Sequence, residues 1–386
     1  MDCWFYVKFN SFNIWCLAIK RGVDTIKKYD LILLISVITI SLFGLLMIYS
    51  SSYVWAEYKY ADAFKYVKAE SLFFIVGIIL MFIVSKIDYM KYYKNANIVL
   101  GICVFLLILV IIPGVGTVRN GSRSWFGIGS FGIQPSEFTK LSLIIFASKY
   151  LSNNEKYLKS IKKGVLPLLG LLILIFGLIM LQPDFGTGTV IVMSIIAILF
   201  ISGVNFNFFI KMACVGLVGV AVLIMIAPYR LQRILSFINP WSDPLGSGFQ
   251  IIQSLYAIGP GGLLGLGFGN SIQKHFYLPE PQTDFIFSII SEEFGFLGVI
   301  IVASLFLTII YRGLKISLNS TDLFSKYLSF GITFQIAFQS ILNLMVVVGL
   351  IPVTGVTLPF LSYGGSSLLI SMISIGILLN ISRYNK

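Results

Sequence analysis

The chain has 386 residues, of which 57% are hydrophobic and only 11% charged, with a formal net charge of +12. Soluble domains are about half apolar and about a quarter charged, so this composition excludes a soluble protein and indicates a chain that lies mostly in a membrane. The lysines flank apolar runs, as in cytoplasmic loops, so the positive charge does not indicate a nucleic-acid partner. A single histidine, His275, argues against histidine-rich metal sites and Ser-His-Asp catalysis.

Residues 1–29 are predicted to form a cytoplasmic tail rather than a signal peptide. Their apolar stretch at 14–19 is short and runs into two basic residues without a small-residue cleavage site. Trp4, Phe5 and Trp15 would hold such a tail at the membrane surface. A start codon assigned too far upstream is the alternative explanation. The four cysteines lie in this segment and in apolar runs, so they imply no disulfide framework.

Ten apolar segments approach the length of about 20 residues that a membrane span needs. We therefore predict an all-α integral membrane protein, a polytopic bundle of about ten transmembrane helices that occupies residues 30–386. The segments are 31–50, 70–86, 96–113, 137–152, 164–182, 186–203, 208–227, 284–311, 326–350 and 363–382. The stretch 228–283, between the seventh and eighth spans, is too apolar for a free linker. Short helices at the membrane interface are expected there, with Trp241 and Tyr256 at headgroup depth.

The distribution of basic residues predicts the orientation of the bundle. Of the 28 Lys and Arg residues, 19 fall on the side that carries both termini, 8 fall on the other side, and Lys140 lies inside a span. The positive-inside rule therefore places both termini in the cytoplasm and makes 228–283 a large extracellular loop. Two further extracellular loops, 114–136 and 351–365, are also rich in glycine, proline and aromatic residues.

The fourth span begins with Gln134-Pro135-Ser136-Glu137 and carries Lys140 one turn further on. Proline suits the first turn of a helix. The i, i+3 spacing places Glu137 and Lys140 on one face, where they can form an ion pair. Ionisable groups at membrane depth are costly, and they are usually paired and functional. A pair that only fixes helix packing is the alternative.

Acidic residues at the start of the eighth span form the second group of ionisable residues at membrane depth. Thr283 is predicted as the helix N-cap, which places Asp284 in the first turn, near the outer membrane surface. Asp284 is a candidate catalytic residue, and complementing the helix dipole is its alternative role. Two turns further on, Glu292 and Glu293 cannot both face lipid, so at least one is expected to be paired inside the bundle or protonated.

The extracellular loops add hydrogen-bond donors. Arg119 and Arg123 flank a glycine-bearing turn before Trp125; arginines bind pyrophosphate well, and the indole can stack on a sugar. Anchoring at lipid headgroups is the alternative, and the same two roles are open for the pair 230 and 233. Two other sets of loop residues are more typical of structural positions. They are Asp184, in a tight Pro-Asp turn, and Lys274 with His275, on a loop surface.

Several separated motifs follow one another in the order typical of one membrane-protein family. They are Arg123-Ser124-Trp125 through Gln134-Pro135-Ser136-Glu137, Gln182-Pro183-Asp184-Phe185-Gly186-Thr187, 278–287 with Glu292-Glu293, and 359–366. From about residue 30 to the C-terminus the chain resembles the SEDS family (shape, elongation, division and sporulation proteins). The string 265–274 leading into Leu-Pro-Glu-Pro-Gln-Thr-Asp resembles the FtsW and SpoVE branch more than RodA.

The resemblance implies a peptidoglycan glycosyltransferase that polymerises lipid II into glycan strands on the outer face of the bacterial cytoplasmic membrane. It implies a class B penicillin-binding protein as transpeptidase partner, together with other division or elongation proteins. The essential aspartate of the family maps to Asp284, and the Glu and Lys that line its cavity map to Glu137 and Lys140. The candidate substrate-binding residues are Arg119, Arg123, Trp125, Ser136, Lys274, Glu280 and Thr283.

The implied reaction fits these residue types. A sugar hydroxyl attacks an anomeric carbon, and lipid pyrophosphate leaves. A single displacement inverts the anomeric carbon and needs one general base, for which Asp284 is the candidate. Arg119, Arg123 and Lys140 are candidates to stabilise the leaving charge. A divalent cation, Mg²⁺ or Mn²⁺, is an alternative, with Asp284 as its ligand instead of the base.

Two other functions remain open at this point. A lipid II flippase or transporter would also have many spans with charges at depth, although the sequence shows no internal repeat and the candidate residues cluster towards one side. A non-catalytic scaffold of the division machinery is the third candidate. The sequence does not separate division from sporulation.

Overall fold

The computed structural model describes residues 29–119, 121–128, 131–158, 160–226 and 228–384. The tail expected over 1–29 therefore lies outside the described residues, apart from Tyr29. The described part is mainly helical, and its helices follow one another along the whole length. They are α1 Leu31–Tyr60, α2 Lys65–Lys86, α3 Tyr89–Ile111, α4 Pro135–Asn153, α5 Leu166–Met180, α6 Phe185–Ile201, α7 Phe206–Ile226, α8 Pro228–Ile238, α9 Phe249–Ile258, α10 Ile286–Leu318, α11 Leu323–Val347 and α12 Gly365–Ser382.

Ten of these helices overlap the ten predicted spans, and the all-α membrane bundle is confirmed. Seven are long and apolar enough to cross a bilayer, if the π turn Ile161–Val165 is counted with α5. The others are the short apolar α6 and α7 and the α4 helix with its two internal charges. The remaining helices, α8 and α9, are the short helices expected in the loop 228–283.

Burial separates the centre of the bundle from its periphery. The apolar window of α12 is 72% buried and that of α11 is 61% buried, whereas the other five candidate spans are 28–44% buried. Apolar side chains on the peripheral helices face outward; Ile173 on α5, for example, is 69% exposed. Such a surface suits lipid contact. The helices α4 and α6 are also mostly buried, so they lie in the interior with α11 and α12.

The first helix is longer than its predicted span. It continues for ten residues beyond residue 50, to Tyr60, where Ala61 ends it in the left-handed conformation (φ 52°). Thirty residues at 1.5 Å each make a helix of about 45 Å, compared with about 30 Å for the hydrocarbon core of a bilayer. The last turns of α1, with Trp55 and Tyr60, therefore extend past the apolar layer.

A small antiparallel sheet lies between α3 and α4, and the sequence analysis did not anticipate it. Its strands are β1 Thr117–Arg119, β2 Ser122–Ile128 and β3 Phe131–Ile133, in the order β1-β2-β3. Arg119 pairs with Ser122, and Thr117 pairs with Trp125. Pro135 stands in the first turn of α4, as predicted. We call the end of the bundle that carries this sheet the sheet end.

The helix α10 is broken at Gly295, which has φ 60° and ψ −155°, and a loop crosses it there. The main-chain N–H groups of Leu266 and Gly267 donate to the Glu292 and Glu293 carbonyls (2.9 and 3.0 Å). The N–H groups of Phe296 and Leu297 donate to the Gly262 and Leu263 carbonyls (2.9 and 3.1 Å). The loop thus satisfies backbone groups that the break leaves without helical partners.

Candidate active site

A cavity of about 1460 Å³ lies at the sheet end. Its walls come from the end of α1, the start of α2, the small sheet, the turn before α6, and the loops that precede α10 and α12. The candidate residues among its lining are Arg119, Trp125, Lys274, Glu280, Thr283 and Asp284, and Asp184 lines it as well. The fold therefore gathers residues that lie up to 165 positions apart in the chain, from Arg119 to Asp284, around one space.

Asp284 lies two residues before α10, in a non-helical segment. The prediction that Thr283 is the N-cap is wrong, since Phe285 is the residue before the helix and makes no side-chain cap. Thr283 Oγ1 instead lies 2.7 Å from the Glu280 carbonyl and 2.9 Å from Asp284 Oδ1. Asn343 on α11 donates to the Asp284 carbonyl (2.7 Å) and fixes the backbone of this segment.

The predicted ion pair in α4 is present, and it lies behind the cavity wall. Lys140 Nζ is 2.8 Å from Glu137 Oε2, and the two residues are 3% and 6% exposed. Lys140 also donates to Gln339 Oε1 (2.9 Å), and Gln339 Nε2 donates to the carbonyl of Thr357, which does line the cavity (3.0 Å). The pair thus reaches the cavity wall through one glutamine.

Gln339 belongs to a polar stripe that the sequence analysis missed. Gln335, Gln339 and Asn343 are spaced four residues apart on α11, and all three are at most 5% exposed. Amides at i, i+4, i+8 on an otherwise apolar helix share one face, so this spacing was the available signal. Ser136, another candidate residue, is fully buried, and its hydroxyl makes no hydrogen bond to the described residues.

Asp184 does more than close a turn. Its Oδ1 accepts the Thr187 N–H (3.1 Å) and so caps α6, while Oδ2 accepts from Gln134 Nε2 (2.9 Å). The carboxyl also lines the cavity. Burial raises the pKa of Asp184 above its ordinary value of 3.8, and the hydrogen bonds from Thr187 offset part of this effect.

The sheet presents a stacked cation at the cavity. The guanidinium of Arg119 lies 4.8 Å from the centre of the Trp125 ring, and both side chains face the cavity. The pairing of β1 with β2 explains this contact, because it places Trp125 opposite Thr117, two residues before Arg119, and such a diagonal separation is within reach of long and aromatic side chains. Arg123, on the same strand as Trp125, is half-buried and packs near Gly116. The side chains at 230 and 233 lie outside the described part of the structure.

Lys274 is buried, so the expectation that it lies on a loop surface is wrong. It is 1% exposed, donates to Glu293 Oε1 (2.9 Å) and lies 3.4 Å from Ser50 Oγ. Glu292 accepts the Ser271 hydroxyl and the Ile272 N–H (2.8 Å). Both glutamates are therefore paired inside the protein, as predicted, and they tie the loop 271–274 to α10. His275 is exposed, as expected.

The described residues contain no group of three or more His, Cys, Asp or Glu side chains that could hold a metal ion. Asp284 therefore has no carboxylate or histidine set around it that would form a protein-only site. Magnesium often uses one carboxylate and takes its other ligands from substrate phosphates and water. The side chains around Asp284 are therefore compatible only with a metal ion that takes one carboxylate from the protein and its other ligands from substrate phosphates and water.

Residues 30–386 match the family model FTSW_RODA_SPOVE, described as "Cell cycle protein". The chain belongs to the FtsW/RodA/SpoVE family. The resemblance to the SEDS family drawn from the separate motifs is thereby confirmed over the whole of the described part.

Relatives within the FtsW/RodA/SpoVE family span nearly the whole chain. Stage V sporulation protein E of Bacillus subtilis (strain 168) is 52% identical over 357 residues, covering 92% of this chain and 98% of that protein. The probable peptidoglycan glycosyltransferase FtsW of Geobacter sulfurreducens (strain ATCC 51573 / DSM 12127 / PCA) is 40% identical and covers 94% and 97%.

Solved structures of similar chains share the fold. One chain, from the work "Structural coordination of polymerization and crosslinking by a peptidoglycan synthase complex", matches with a TM-score of 0.76 and 29% identity, covering 92% of this chain and 98% of that one. The rod shape determining protein RodA of Thermus thermophilus matches with a TM-score of 0.68 and 28% identity, covering 92% and 97%. The fold of this chain is thus that of solved structures of similar sequence.

Proposed function

We propose that this chain is a peptidoglycan glycosyltransferase that polymerises lipid II, and that the cavity containing Asp284 is its active site. The observation that carries the proposal is the cavity itself. At about 1460 Å³ it exceeds the 300–1,000 Å³ of ordinary small-molecule pockets, and it suits the disaccharide headgroup of a lipid-linked precursor. The curated relatives named above, FtsW among them, support the same activity.

Asp284 is the general base of the proposed reaction. It lies in the cavity wall and accepts a hydrogen bond at Oδ1 from Thr283, while Asn343 holds its backbone. In this position it can take the proton of the attacking sugar hydroxyl as the new glycosidic bond forms and lipid pyrophosphate departs. One displacement inverts the anomeric centre, so the reaction needs no covalent glycosyl-enzyme.

Arg119 is the cation best placed for the leaving pyrophosphate. Stacking on Trp125 holds its guanidinium at the cavity, and a fixed guanidinium binds phosphate oxygens through two parallel hydrogen bonds. Glu137 and Lys140 act from behind the wall in this proposal, because Lys140 fixes Gln339 and Gln339 fixes the Thr357 carbonyl. The roles of Arg123, Ser136, Lys274 and Glu280 remain predictions.

A divalent cation would have Asp284 as its protein ligand, and the pyrophosphate oxygens would supply the rest of its coordination. No step of the proposed reaction is derived through it. Polymerisation that continues unchanged after exhaustive chelation of Mg²⁺ and Mn²⁺ would contradict a role for the cation.

The proposed orientation places both termini in the cytoplasm and the sheet end at the outer face. The excess of Lys and Arg on the terminal side, 19 against 8, supports this orientation. The partner in this proposal is a class B penicillin-binding protein, with other division or elongation proteins in the same assembly. The solved synthase complex that contains a similar chain supports such a partner.

The test uses the purified full chain bound to its transpeptidase partner, with lipid II as substrate. Glycan ladders from the wild type and none from a folded Asp284→Ala variant would support a polymerase that depends on this carboxylate. Ladders from both proteins would move the catalytic role to another residue. If neither forms ladders, lipid-probe translocation by both proteins would favour the flippase, and its absence would favour the scaffold.

A further inference from the structure

A buried carboxyl on α2 has no role in the reaction described so far. Glu70 is 1% exposed, and it is the sixth residue of α2. Its Oε2 accepts one long hydrogen bond, from the Gly364 N–H at 3.3 Å. Its Oε1 has no hydrogen-bond partner among the described residues. A buried polar atom without a partner costs free energy, so a native protein that keeps one usually has a reason.

The residues next to Glu70 belong to the cavity wall. Tyr363, Gly364 and Gly365 line the cavity, although Glu70 does not. The Tyr363 N–H donates to the Gln282 carbonyl (2.8 Å), and Gln282 lies two residues before Asp284. Two consecutive N–H groups are thus bound by different parts of the protein, one by Glu70 and one by the segment that contains Asp284.

The packing around this stretch of wall includes ring contacts but, among the described residues, no second acceptor for the Gly364 N–H. Gly364 precedes α12 and offers no side chain to cap the helix. A side chain at Gly365 is excluded, because its Cβ would lie 2.3 Å from the Phe73 ring. The Tyr363 ring contacts Tyr66, edge to face, at 5.0 Å. The carboxyl of Glu70 is therefore the one side-chain hydrogen-bond acceptor found for the Gly364 N–H among the described residues.

We infer that Glu70 is a positioning residue of the active site, which sets the Tyr363–Gly365 wall and, through the Tyr363–Gln282 hydrogen bond, the segment of Asp284. The inference rests on the proposed function. It needs only an acceptor oxygen at this place and no proton transfer. A purely structural alternative exists, since a carboxylate near the N-terminus of α12 would also stabilise that helix.

The experiment compares Glu70→Leu with Glu70→Gln in the full chain bound to its transpeptidase partner, and measures kcat and KM for lipid II and the thermal midpoint. Leucine has a similar volume and no acceptor, whereas glutamine keeps one. Glu57→Gln, at an exposed acid on α1, is the control. Because small displacements of catalytic groups are costly, we expect Glu70→Leu to lose at least about tenfold in kcat with little change in KM.

The same variants separate positioning from helix stabilisation. Glu70→Leu removes a poorly satisfied buried carboxyl but also leaves the Gly364 N–H without its acceptor, so its thermal midpoint is expected to stay close to that of the wild type. Glu70→Gln is expected to stay within about threefold in kcat. Wild-type activity in Glu70→Leu, or a loss that only follows a lower midpoint, would overturn the inference. Equal losses in both variants would show that charge rather than an acceptor is required, and would also overturn it. A wild-type protein that forms no glycan strands from lipid II in a folded complex would refute the proposed function itself.

Discussion

Among the described residues, two ion pairs between buried side chains lie at or behind the cavity wall, and the sequence revealed only one of them. Glu137 and Lys140 are three residues apart on one helix, so their pairing follows from helix geometry. Lys274 and Glu293 are 19 residues apart and meet because a glycine-containing loop folds back across α10. Sequence spacing carries no signal for such a contact, which explains why Lys274 was assigned to the surface.

The α4 ion pair gives a prediction about stability. Lys140→Met leaves the Glu137 carboxylate buried without its partner, and breaking a buried pair costs about 3–5 kcal/mol. The double variant Glu137→Met/Lys140→Met removes both charges and is expected to recover most of the loss. Thermal unfolding of the purified proteins measures the effect. A double variant that unfolds at the same temperature as Lys140→Met would contradict this account.

Asp184 gives a prediction about pH. Its pKa is raised in the folded protein, so the fold holds the proton more tightly than the unfolded chain does. Its contribution to stability is therefore complete below its ordinary pKa of 3.8 and is lost as the pH rises through the raised value. Asp184→Asn has no such titration. The thermal midpoint of the wild type relative to this variant should fall as the pH rises from about 4 to about 8, and parallel profiles would be evidence against it.

Among the elements, the long helices were predictable and the non-helical structure was not. Runs of apolar residues define spans because only helices satisfy their backbone within a bilayer. The three strands between α3 and α4 have at most seven residues each, and two of them contain glycine, so they show no clear alternation. The extension of α1 to Tyr60 was missed because hydropathy ends where the apolar layer ends, although the helix continues.

The break in α10 gives a prediction at the scale of the element. Gly295 has a backbone conformation that favours glycine, and a Cβ there would lie 2.4 Å from the Gly265 nitrogen. Gly295→Ala is therefore expected to destabilise the protein by about 3 kcal/mol or more and to displace the loop that leads to Asp284, with loss of activity.

The matched control for this variant is Gly170→Ala, which lies on α5 with no atom within 4 Å of its Cβ position. Alanine is the better helix former by about 1 kcal/mol, so the control should be neutral or stabilising. Thermal midpoints of the two variants test the pair together. Equal thermal midpoints for Gly295→Ala and Gly170→Ala would show that the loop does not pack closely against α10 at Gly295.

For the whole molecule, the sequence predicted the class of fold and the family, and the structure adds how distant loops form one cavity. Orientation remains a proposal that can be measured. Leu245 is 88% exposed in the loop between α8 and α9, and Lys156 is exposed in the turn after α4. In intact cells, a membrane-impermeant thiol reagent is expected to label Leu245→Cys but not Lys156→Cys. Labelling of Lys156→Cys but not of Leu245→Cys would contradict the proposed orientation and support the opposite one.

The central claim is that Asp284 in the cavity is the catalytic residue of polymerisation, and the rate of glycan synthesis tests it most directly. The measurement compares Asp284→Asn with Asp243→Asn in the partner-bound complex with lipid II. Asp243 is exposed in the stretch between α7 and α10 that also contains Asp284, and it accepts hydrogen bonds from Ser247. Loss of a general base costs about 10²- to 10⁴-fold, so we expect at least a hundredfold lower rate for Asp284→Asn and a wild-type rate for Asp243→Asn. Near-wild-type synthesis by a folded Asp284→Asn complex would contradict the account.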